Sequence, residues 1–195
     1  MSDRLTPEVV LEAYRCGVFP MADPYGRIRW FSPDPRCIFP LDGFHTPRTV
    51  RQAIHRGVFE VRVDTAFGRV IAACSDRPEG TWISRRIIET YCALHEQGDA
   101  HSVEAWQGGE LAGGLYGVTL GGAFFGESMF TRVTNASKVV LVALVERLRA
   151  RGFVLLDTQW STPHLARFGA IEIPRQEYLR RLEAALALPV SFRDA

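Results

Sequence analysis

The stretch GGELAGGLYGVTLGGAFFGESMFTRVTNASK, residues 108–138, decides the fold of this chain. Its two apolar segments flank Gly121-Gly122, a pair that is typical of the two-residue turn of a β-hairpin. The second segment runs into Asn135-Ala136-Ser137, which predicts the start of a long helix that ends at Gly152. The stretch therefore indicates two paired strands followed by a helix.

One acidic residue interrupts the second of these strands. Glu127 lies within the apolar segment FFGESMF, residues 124–130. A buried carboxylate has to be paired or hydrogen-bonded, because an unpaired one is strongly disfavoured in the protein interior. Two interpretations follow. Glu127 is a satisfied structural acid or an outward-facing strand residue, or it faces a pocket and receives a cationic group of a ligand.

The composition is that of an ordinary globular protein. The 195 residues are 47% hydrophobic and 23% charged, and Lys+Arg 23 against Asp+Glu 22 leaves a net charge of +1. Affinity for nucleic acid must therefore come from local patches of charge. No apolar run approaches the roughly 18 residues of a membrane span, and MSDRLTPEVV is not a signal peptide, so we expect a soluble, cytoplasmic protein.

The cysteines and histidines do not form a metal-binding pattern. The four cysteines are widely spaced without a CxxC motif, and the five histidines show no ligand spacing. We therefore expect reduced thiols, no disulfide framework and no metal site. His101 and His164 are interpreted as structural residues.

Periodicity and capping residues predict the remaining elements. Helices are expected over residues 6–16, 46–56, 64–73, 84–98, 162–168 and 174–186, and strands over 59–63, 101–106, 153–157 and 170–173. The aromatic and Pro-rich stretch 25–40 predicts short extended segments, and the tail 189–195 is expected to be loose.

The order of elements from residue 101 onward predicts the fold. Three strands, a helix, a strand, a helix and a strand follow one another, which is the order of the Gcn5-related N-acyltransferase (GNAT) fold. We therefore expect an α+β protein with a GNAT-like catalytic domain over residues 64–195 and a smaller N-terminal α/β domain over residues 1–63. The segment 132–137 has no glycine where that fold usually grips pyrophosphate, so a coenzyme A site is not indicated.

Motifs along nearly the whole chain resemble those of the leucyl/phenylalanyl-tRNA–protein transferases. The matching stretches are AYRCGVFPM (13–21), WFSPDPR (30–36), TWI (81–83), HSVEAW (101–106), LAGGLYGV (111–118), FFGESMF (124–130), ASK (136–138), LLDTQ (155–159), HL (164–165), FGA (168–170) and IPR (173–175). The resemblance implies an enzyme that moves Leu, Phe or Met from aminoacyl-tRNA to the N-terminal Arg or Lys of an acceptor protein. That addition marks the acceptor for degradation by the N-degron route.

The resemblance implies aminoacyl-tRNA and acceptor proteins as partners, and no membrane. Aminolysis of an activated ester needs a bound aminoacyl group, a deprotonated amine and stabilisation of the tetrahedral oxyanion. We therefore expect no metal and no cofactor.

Two polar residues lie at the C-terminal end of the buried strand that is predicted to begin at residue 153. Asp157 and Gln159 are two residues apart, so their side chains are expected to point to one side. By resemblance, Gln159 takes or relays the proton of the incoming amine, and Asp157 raises its electron density. A neutral amide is a poor base, so a second interpretation is equally open: Gln159 positions the amine, and Asp157 holds the cationic side chain of the acceptor.

The other site residues also follow from the resemblance. Glu127 would hold the α-ammonium of the aminoacyl group. An apolar pocket for the aminoacyl side chain would be shaped by Trp82, Phe124 and Gly126. Contacts with the 3′-terminal adenosine of tRNA are expected from Tyr25, Trp30 and Tyr91. Contacts with the acceptor-stem backbone are expected from Arg77, Arg85 and Arg86.

Two other functions remain open at this point. A coenzyme A-dependent N-acetyltransferase of the same fold would transfer acetyl groups without tRNA. A non-catalytic tRNA-binding adaptor would be unaffected by Asp157→Ala or Gln159→Ala. A serine hydrolase is excluded, because the segment GESMF lacks the second glycine of a nucleophile elbow.

Overall fold

The computed structural model describes residues 5–193, which form a mixed α/β structure. The helices are α1 (Pro7–Arg15), α2 (Arg48–His55), α3 (Phe67–Ser75), α4 (Arg85–Gln97), α5 (Ala136–Ala150), α6 (Pro163–Ala166) and α7 (Arg175–Leu186). The strands are β1 (Phe19–Ala22), β2 (Ile28–Phe31), β3 (Arg36–Phe39), β4 (Glu60–Val63), β5 (Ala100–Gln107), β6 (Glu110–Leu120), β7 (Ala123–Thr131), β8 (Leu155–Gln159) and β9 (Ile171–Ile173). β1 and β2 form a small sheet, and the others form one sheet in the order β4-β5-β6-β7-β8-β3-β9.

The central hairpin and the helix that follows it are confirmed. β6 and β7 are antiparallel up to the pair Leu120↔Ala123, and Gly121 adopts a φ of +51° in the turn. This turn packs closely on α7, because a Cβ on Gly121 would lie 2.7 Å from the carbonyl oxygen of Ala185. α5 begins one residue after Asn135, as the sequence predicts.

Two helix starts that capping residues predict are also confirmed. Thr6 Oγ1 accepts a hydrogen bond from the Val9 amide at the start of α1, and Ser84 Oγ accepts one from the Ile87 amide at the start of α4. α1 packs on α4. This packing brings residues that are far apart in the sequence to one face of the sheet.

The predicted domain boundary after residue 63 lies inside the large sheet. β3 pairs antiparallel with both β8 and β9, and β4 pairs antiparallel with β5. Strands β3 and β4, from residues 1–63, therefore share one sheet with the strands that follow residue 63. The physical reason is that the buried strand β8 needs a partner on its second edge, and β3 supplies that partner.

Helices cover both faces of the large sheet. One apolar cluster contains residues of α1, α3, α4 and α7, and we call its side the α4 face. A second cluster contains residues of α5 and part of α2, and we call its side the α5 face. Strand residues alternate between them: Phe125 and Leu155 lie in the first cluster, whereas Phe124 and Leu156 lie in the second.

The C-terminal segment is anchored as far as residue 193, so the prediction of a loose tail is wrong there. Phe192 is buried in the cluster of the α5 face and stacks on His101, with ring centroids 4.4 Å apart. Arg147 Nε donates to the carbonyl oxygen of Phe192 at 2.9 Å. Residues 194 and 195 lie outside the described part of the chain.

The four cysteines are free thiols, as expected. Between residues 5 and 193, no three His, Cys, Asp or Glu side chains are grouped so that they could hold a metal ion. No helix in that part is long and apolar enough to cross a membrane.

Candidate active site

The candidate site lies where β7 and β8 stop pairing. Their parallel ladder involves only residues 123–125 of β7 and 155–157 of β8. Beyond it, β7 continues along β6 to Thr131, whereas β8 continues along β3 only to Gln159. A cavity of about 440 Å³ is lined by both strand ends. We call this gap the β7–β8 notch.

A β-bulge turns Glu127 toward the α4 face of the notch. Tyr116 of β6 pairs with Ser128, and Gly117 pairs with Gly126, so Glu127 is an extra residue without a partner on β6. Bulges re-aim side chains and occur next to active sites. The glycine at position 117 is required here, because a Cβ would lie 2.3 Å from the carbonyl oxygen of Phe125.

Hydrogen bonds satisfy the Glu127 carboxyl group, which also lines the cavity. Tyr14 Oη donates to Glu127 Oε1 at 2.5 Å, and Tyr91 Oη lies 3.4 Å from Oε2. The two phenol oxygens are 2.6 Å apart. Gln159 Nε2 donates to Oε1 at 3.3 Å. Burial outweighs these hydrogen bonds and raises the pKa of Glu127 to about 8.

A second bulge lies on the other side of the notch. Cys37 of β3 pairs with Gln159 and Ile38 pairs with Asp157, so Thr158 is the extra residue of β8. Gln159 has a φ of +59°, in the left-handed region. Its amide N–H donates to Asp157 Oδ1 at 2.9 Å, while its side chain reaches Glu127. Gln159 therefore connects the two carboxyl groups.

Asp157 is fully buried and forms an ion pair within the protein. Arg36 Nε donates to Oδ1 at 2.9 Å, and a terminal nitrogen of Arg36 donates to Oδ2 at 2.6 Å. Tyr178 Oη donates to Oδ2 at 2.9 Å. The interpretation that Asp157 holds the acceptor's cationic side chain is wrong, because Arg36 already occupies that place and Asp157 does not line the cavity.

The wall of the cavity on the α5 face is formed by aliphatic side chains, and we call it the apolar wall. This wall consists of Leu115, Met129, Leu141, Leu144, Leu156 and Leu165. The opposite wall contains Phe19, Met21, Trp82 and Trp160. Glu127 and Gln159 lie between the two walls, at the edges of the strands. The arrangement fits a ligand with an apolar side chain and an adjacent cationic group.

Of the three residues expected to shape the aminoacyl pocket, two line the cavity. Trp82 and Gly126 are lining residues, whereas Phe124 is not. Phe124 is fully buried in the cluster of the α5 face and packs on Phe192. The prediction for Phe124 is corrected to a core residue.

None of the three expected adenosine-binding residues lines the cavity. Tyr25 lies in the turn between β1 and β2 and is 84% exposed, and Trp30 on β2 is 42% exposed. Tyr91 is fully buried and hydrogen-bonded to Tyr14, so the prediction that it stacks on adenosine is wrong. The exposed aromatic residue that does line the cavity is Trp160, which packs edge-on against Phe19.

The three expected backbone-binding arginines lie in different settings. Arg77 lines the cavity and donates to Ser128 Oγ at 3.1 Å and to the carbonyl oxygen of Met129 at 3.2 Å. Arg85 is exposed in the first turn of α4 and donates to Glu89 at 2.8 Å. Arg86 is exposed next to it. Only Arg77 is at the site itself.

Sequence reasoning missed Arg36, Tyr14 and Tyr178. Arg36 ends the quoted motif WFSPDPR and precedes the apolar residues of β3, and an arginine that opens a buried strand is a usable signal for a buried ion pair. Tyr14 and Tyr178 carry no comparable signal, because aromatic residues on amphipathic helices are most often plain core residues. His164, which the sequence assigns to a structural role, lines the cavity.

Comparisons with known proteins match the chain to one family. A family model described as leucyl/phenylalanyl-tRNA protein transferase matches residues 38–183, and the model of that family's N-terminal domain matches residues 3–34. The leucyl/phenylalanyl-tRNA–protein transferase of Gloeobacter violaceus is 58% identical over 190 residues, which cover 97% of this chain and 98% of that protein. The one of Rubrobacter xylanophilus is 57% identical over 190 residues, with 97% and 99% covered.

Similarity to solved structures is weaker. A ribosomal-protein-alanine N-acetyltransferase from Brucella melitensis biovar Abortus 2308 is 15% identical, with a TM-score of 0.38 over 56% of this chain and 85% of that chain. A similarity at this level does not assign the GNAT arrangement to this chain.

Proposed function

The chain belongs to the leucyl/phenylalanyl-tRNA–protein transferase family, and from this premise we propose that it moves Leu, Phe or Met to the N-terminal Arg or Lys of acceptor proteins. It is an enzyme that transfers aminoacyl groups from tRNA to proteins. The acceptor residues, and the degradation of the product by the N-degron route, are part of our proposal. The observation that carries it is the β7–β8 notch, where an apolar wall meets a carboxyl group and an amide.

The apolar wall on the α5 face would take the side chain of the aminoacyl group. Leucines and one methionine provide a surface that accepts Leu, Phe or Met and disfavours a charged side chain. An apolar pocket separates similar side chains by only about 1–3 kcal/mol, which supports the proposed breadth. The Glu127 carboxylate would pair with the α-ammonium next to this wall. Trp82 and Gly126 would border the same group.

Gln159 would position the attacking amine. Its Nε2 donates to Glu127, so its side-chain oxygen is the atom that accepts a hydrogen bond from the acceptor's amine. The amine forms a bond to the ester carbonyl carbon, the bond to the 3′ oxygen of the ribose breaks, and the amine proton ends on that oxygen. A neutral amide does not supply the base strength for this step, so its contribution is orientation. Asp157 contributes through Gln159 and not by contact.

The tRNA would approach from the side of β1 and β2. Trp160 at the cavity, with Trp30 and Tyr25 on the neighbouring hairpin, offers exposed rings for the 3′-terminal adenosine. Arg77 at the cavity and Arg85 and Arg86 on α4 would contact the acceptor-stem backbone, and this binding would weaken with salt. We propose the cytoplasm as the location of the reaction, because it holds the aminoacyl-tRNA pool.

We also propose that the large sheet is a variant of the GNAT sheet. The antiparallel strands β5, β6 and β7 lead through α5 into β8, which is parallel to β7. Strands β3 and β4, from the N-terminal part of the chain, extend the sheet at both sides. In this arrangement acyl transfer would take place at the gap between β7 and β8.

A transfer assay tests the proposed function. The chain is incubated with radiolabelled Leu-tRNA and with a peptide that begins with Arg or a matched peptide that begins with Ala. Label on the Arg peptide alone, lost after ribonuclease pretreatment, is the expected result. Label on neither peptide with intact charged tRNA contradicts the proposal. Acetyl transfer from acetyl-coenzyme A would favour an N-acetyltransferase, and tRNA binding without transfer would favour an adaptor.

A further inference from the structure

We propose that Arg36 is a positioning residue for aminoacyl transfer, which acts through Asp157 on the conformation of Gln159. This inference rests on the proposed function, since transfer is its readout. Arg36 and Asp157 do not line the cavity, so neither reaches a bound substrate directly. Their effect on the reaction has to pass through a residue that does line it, and Gln159 is bonded to Asp157.

The guanidinium of Arg36 is enclosed on all sides. Arg36 is fully buried, and its guanidinium lies 4.8 Å from the ring centroid of Phe19 and 4.5 Å from that of Tyr178. One terminal nitrogen donates to the carbonyl oxygen of Gly17 at 3.1 Å. Nε and the other terminal nitrogen of Arg36 form a planar fork that donates to Asp157. The position of the Asp157 carboxylate is therefore fixed by β1, β3 and α7 together.

Every donor around Asp157 serves the protein's own structure. Oδ1 accepts from Arg36 Nε and from the Gln159 amide, both at 2.9 Å. Oδ2 accepts from Arg36 at 2.6 Å and from Tyr178 Oη at 2.9 Å. Four donors leave Asp157 without a role as a proton acceptor for the substrate. Asp157 instead fixes the main-chain amide of Gln159 by accepting its hydrogen bond.

That hold determines where the Gln159 side chain points. A residue with a Cβ is disfavoured in the left-handed region, so Gln159 keeps its φ of +59° only while its surroundings enforce it. In this conformation the side-chain amide reaches Glu127 at 3.3 Å. A relaxed residue 159 would withdraw the amide from the notch. Arg at position 36 binds both oxygens of the Asp157 carboxylate through a planar fork and so fixes its orientation. Lys presents a single charged atom and does not fix that orientation.

The test is a double-mutant cycle on transfer. Arg36→Lys and Gln159→Ala are made singly and together, and kcat and KM for Leu-tRNA are measured with the Arg peptide at saturation, below the thermal transition of each variant. We expect Arg36→Lys to lower kcat about 10- to 100-fold with KM for Leu-tRNA changed less than about 3-fold. In the Gln159→Ala background the same substitution should change kcat less than about 3-fold. Equal factors in both backgrounds overturn the proposal.

A second variant and a structural readout keep the test decisive. If Arg36→Lys does not fold, Tyr178→Phe takes its place in the cycle, since it removes the hydroxyl that accepts from Arg36 at 3.4 Å and donates to Asp157 at 2.9 Å. A crystal structure of the variant should show residue 159 outside the left-handed region, and an unchanged φ with an unmoved amide overturns the proposal even where kcat is too low to measure.

The matched control is a buried charged residue away from the notch. Glu104 is fully buried on β5 and accepts hydrogen bonds from Ser102 Oγ and from the amides of Thr65 and Ala66. Glu104→Gln should lower stability without changing kcat, and a fall in kcat equal to that of Arg36→Lys contradicts a role specific to Arg36. Absence of transfer by the unsubstituted chain contradicts the proposed function instead, which separates the two failures.

Discussion

The ends of β7 and β8 each carry a carboxyl group, and the protein surrounds the two groups in opposite ways. Glu127 meets two phenols and one amide, lines the cavity, and has a pKa raised to about 8 by burial. Asp157 meets the fork of Arg36 and the hydroxyl of Tyr178, and does not line the cavity. The different surroundings of the two carboxyl groups, and not their residue types, therefore assign their roles. Glu127 is the carboxyl group that is open to a cationic ligand.

The largest expected effect is on stability and comes from removing Asp157, the carboxyl group that does not line the cavity. Asp157→Ala leaves Arg36 buried without a counter-charge, so we expect the free energy of unfolding to fall by about 3–5 kcal/mol. Urea denaturation followed by tryptophan fluorescence measures it. Glu172→Ala on the exposed edge strand β9 is the control and should change stability by less than about 0.5 kcal/mol. A loss below about 1 kcal/mol for Asp157→Ala would contradict the view of Asp157 as an anchored ion.

A smaller effect with a defined pH dependence is expected at Glu127. Folding raises the pKa of this group from 4.5 to about 8, so the native protein retains a proton that the unfolded chain loses. The stability of the unsubstituted chain should therefore fall as pH rises through the window from about 4.5 to 8. Glu127→Gln lacks this titration, and its stability relative to the unsubstituted chain should increase over the same window by up to a few kcal/mol.

Thermal unfolding at half-unit intervals of pH measures this difference. Glu146→Gln, an exposed position on α5, serves as the control and should follow the unsubstituted chain at every pH. A Glu127→Gln difference that does not vary with pH would show that Glu127 is ionised in the folded protein.

A substitution in the apolar wall should change the preference between Phe-tRNA and Leu-tRNA by about 1 kcal/mol. Leu144→Ala enlarges the cavity on the α5 face, so the ratio of kcat/KM for Phe-tRNA to that for Leu-tRNA should rise about 3- to 10-fold. Leu148→Ala is the matched control, because Leu148 is fully buried on the same helix but does not line the cavity. Both variants should lose stability, and only Leu144→Ala should change the ratio. An equal change in both variants would place the aminoacyl side chain elsewhere.

The smallest effect is expected on the surface of α4. Arg85→Ala should weaken Leu-tRNA binding a few-fold and lower the slope of log affinity against log salt concentration by about 0.7–0.9, if one phosphate contact is lost. Filter binding between 50 and 200 mM salt measures both quantities. Arg180→Ala on α7, where Arg180 is exposed and paired with Glu177, is the control. An unchanged slope for Arg85→Ala removes this residue from the tRNA interface.

The sequence predicts the parts of this molecule that local chemistry determines. The Gly121-Gly122 turn and the caps at Thr6 and Ser84 lie where their residue types indicate, because turn and cap preferences act over three or four residues. The roles of Glu127 and Gln159, both of which line the cavity, are implied by the family resemblance and not by local chemistry. The turn and cap predictions require no knowledge of which segments meet in space.

The remaining parts depend on pairing and register. Arg36 and Asp157 are 121 residues apart, and the insertion of β3 beside β8 that joins them has no local signal. The resemblance implies that Phe124 shapes the pocket, but Phe124 lies inside the β7–β8 ladder and packs on Phe192 in the core. The resemblance implies that Tyr91 contacts the adenosine, but the packing of α1 on α4 buries Tyr91 against Tyr14.

Proton release on ligand binding tests the contrast between the two carboxyl groups most directly. An amide-linked phenylalanyl-adenosine analogue is titrated into the protein at pH 6.5 by calorimetry in two buffers of different ionisation enthalpy. At this pH the α-amine of the analogue is cationic, since such groups have pKa values of about 7.7–8.0. Glu127 should lose its proton when it pairs with that cation, so we expect close to one proton released per analogue bound and none with Glu127→Gln. Equal proton release by both proteins would contradict the assignment of Glu127 as the group that receives the α-ammonium.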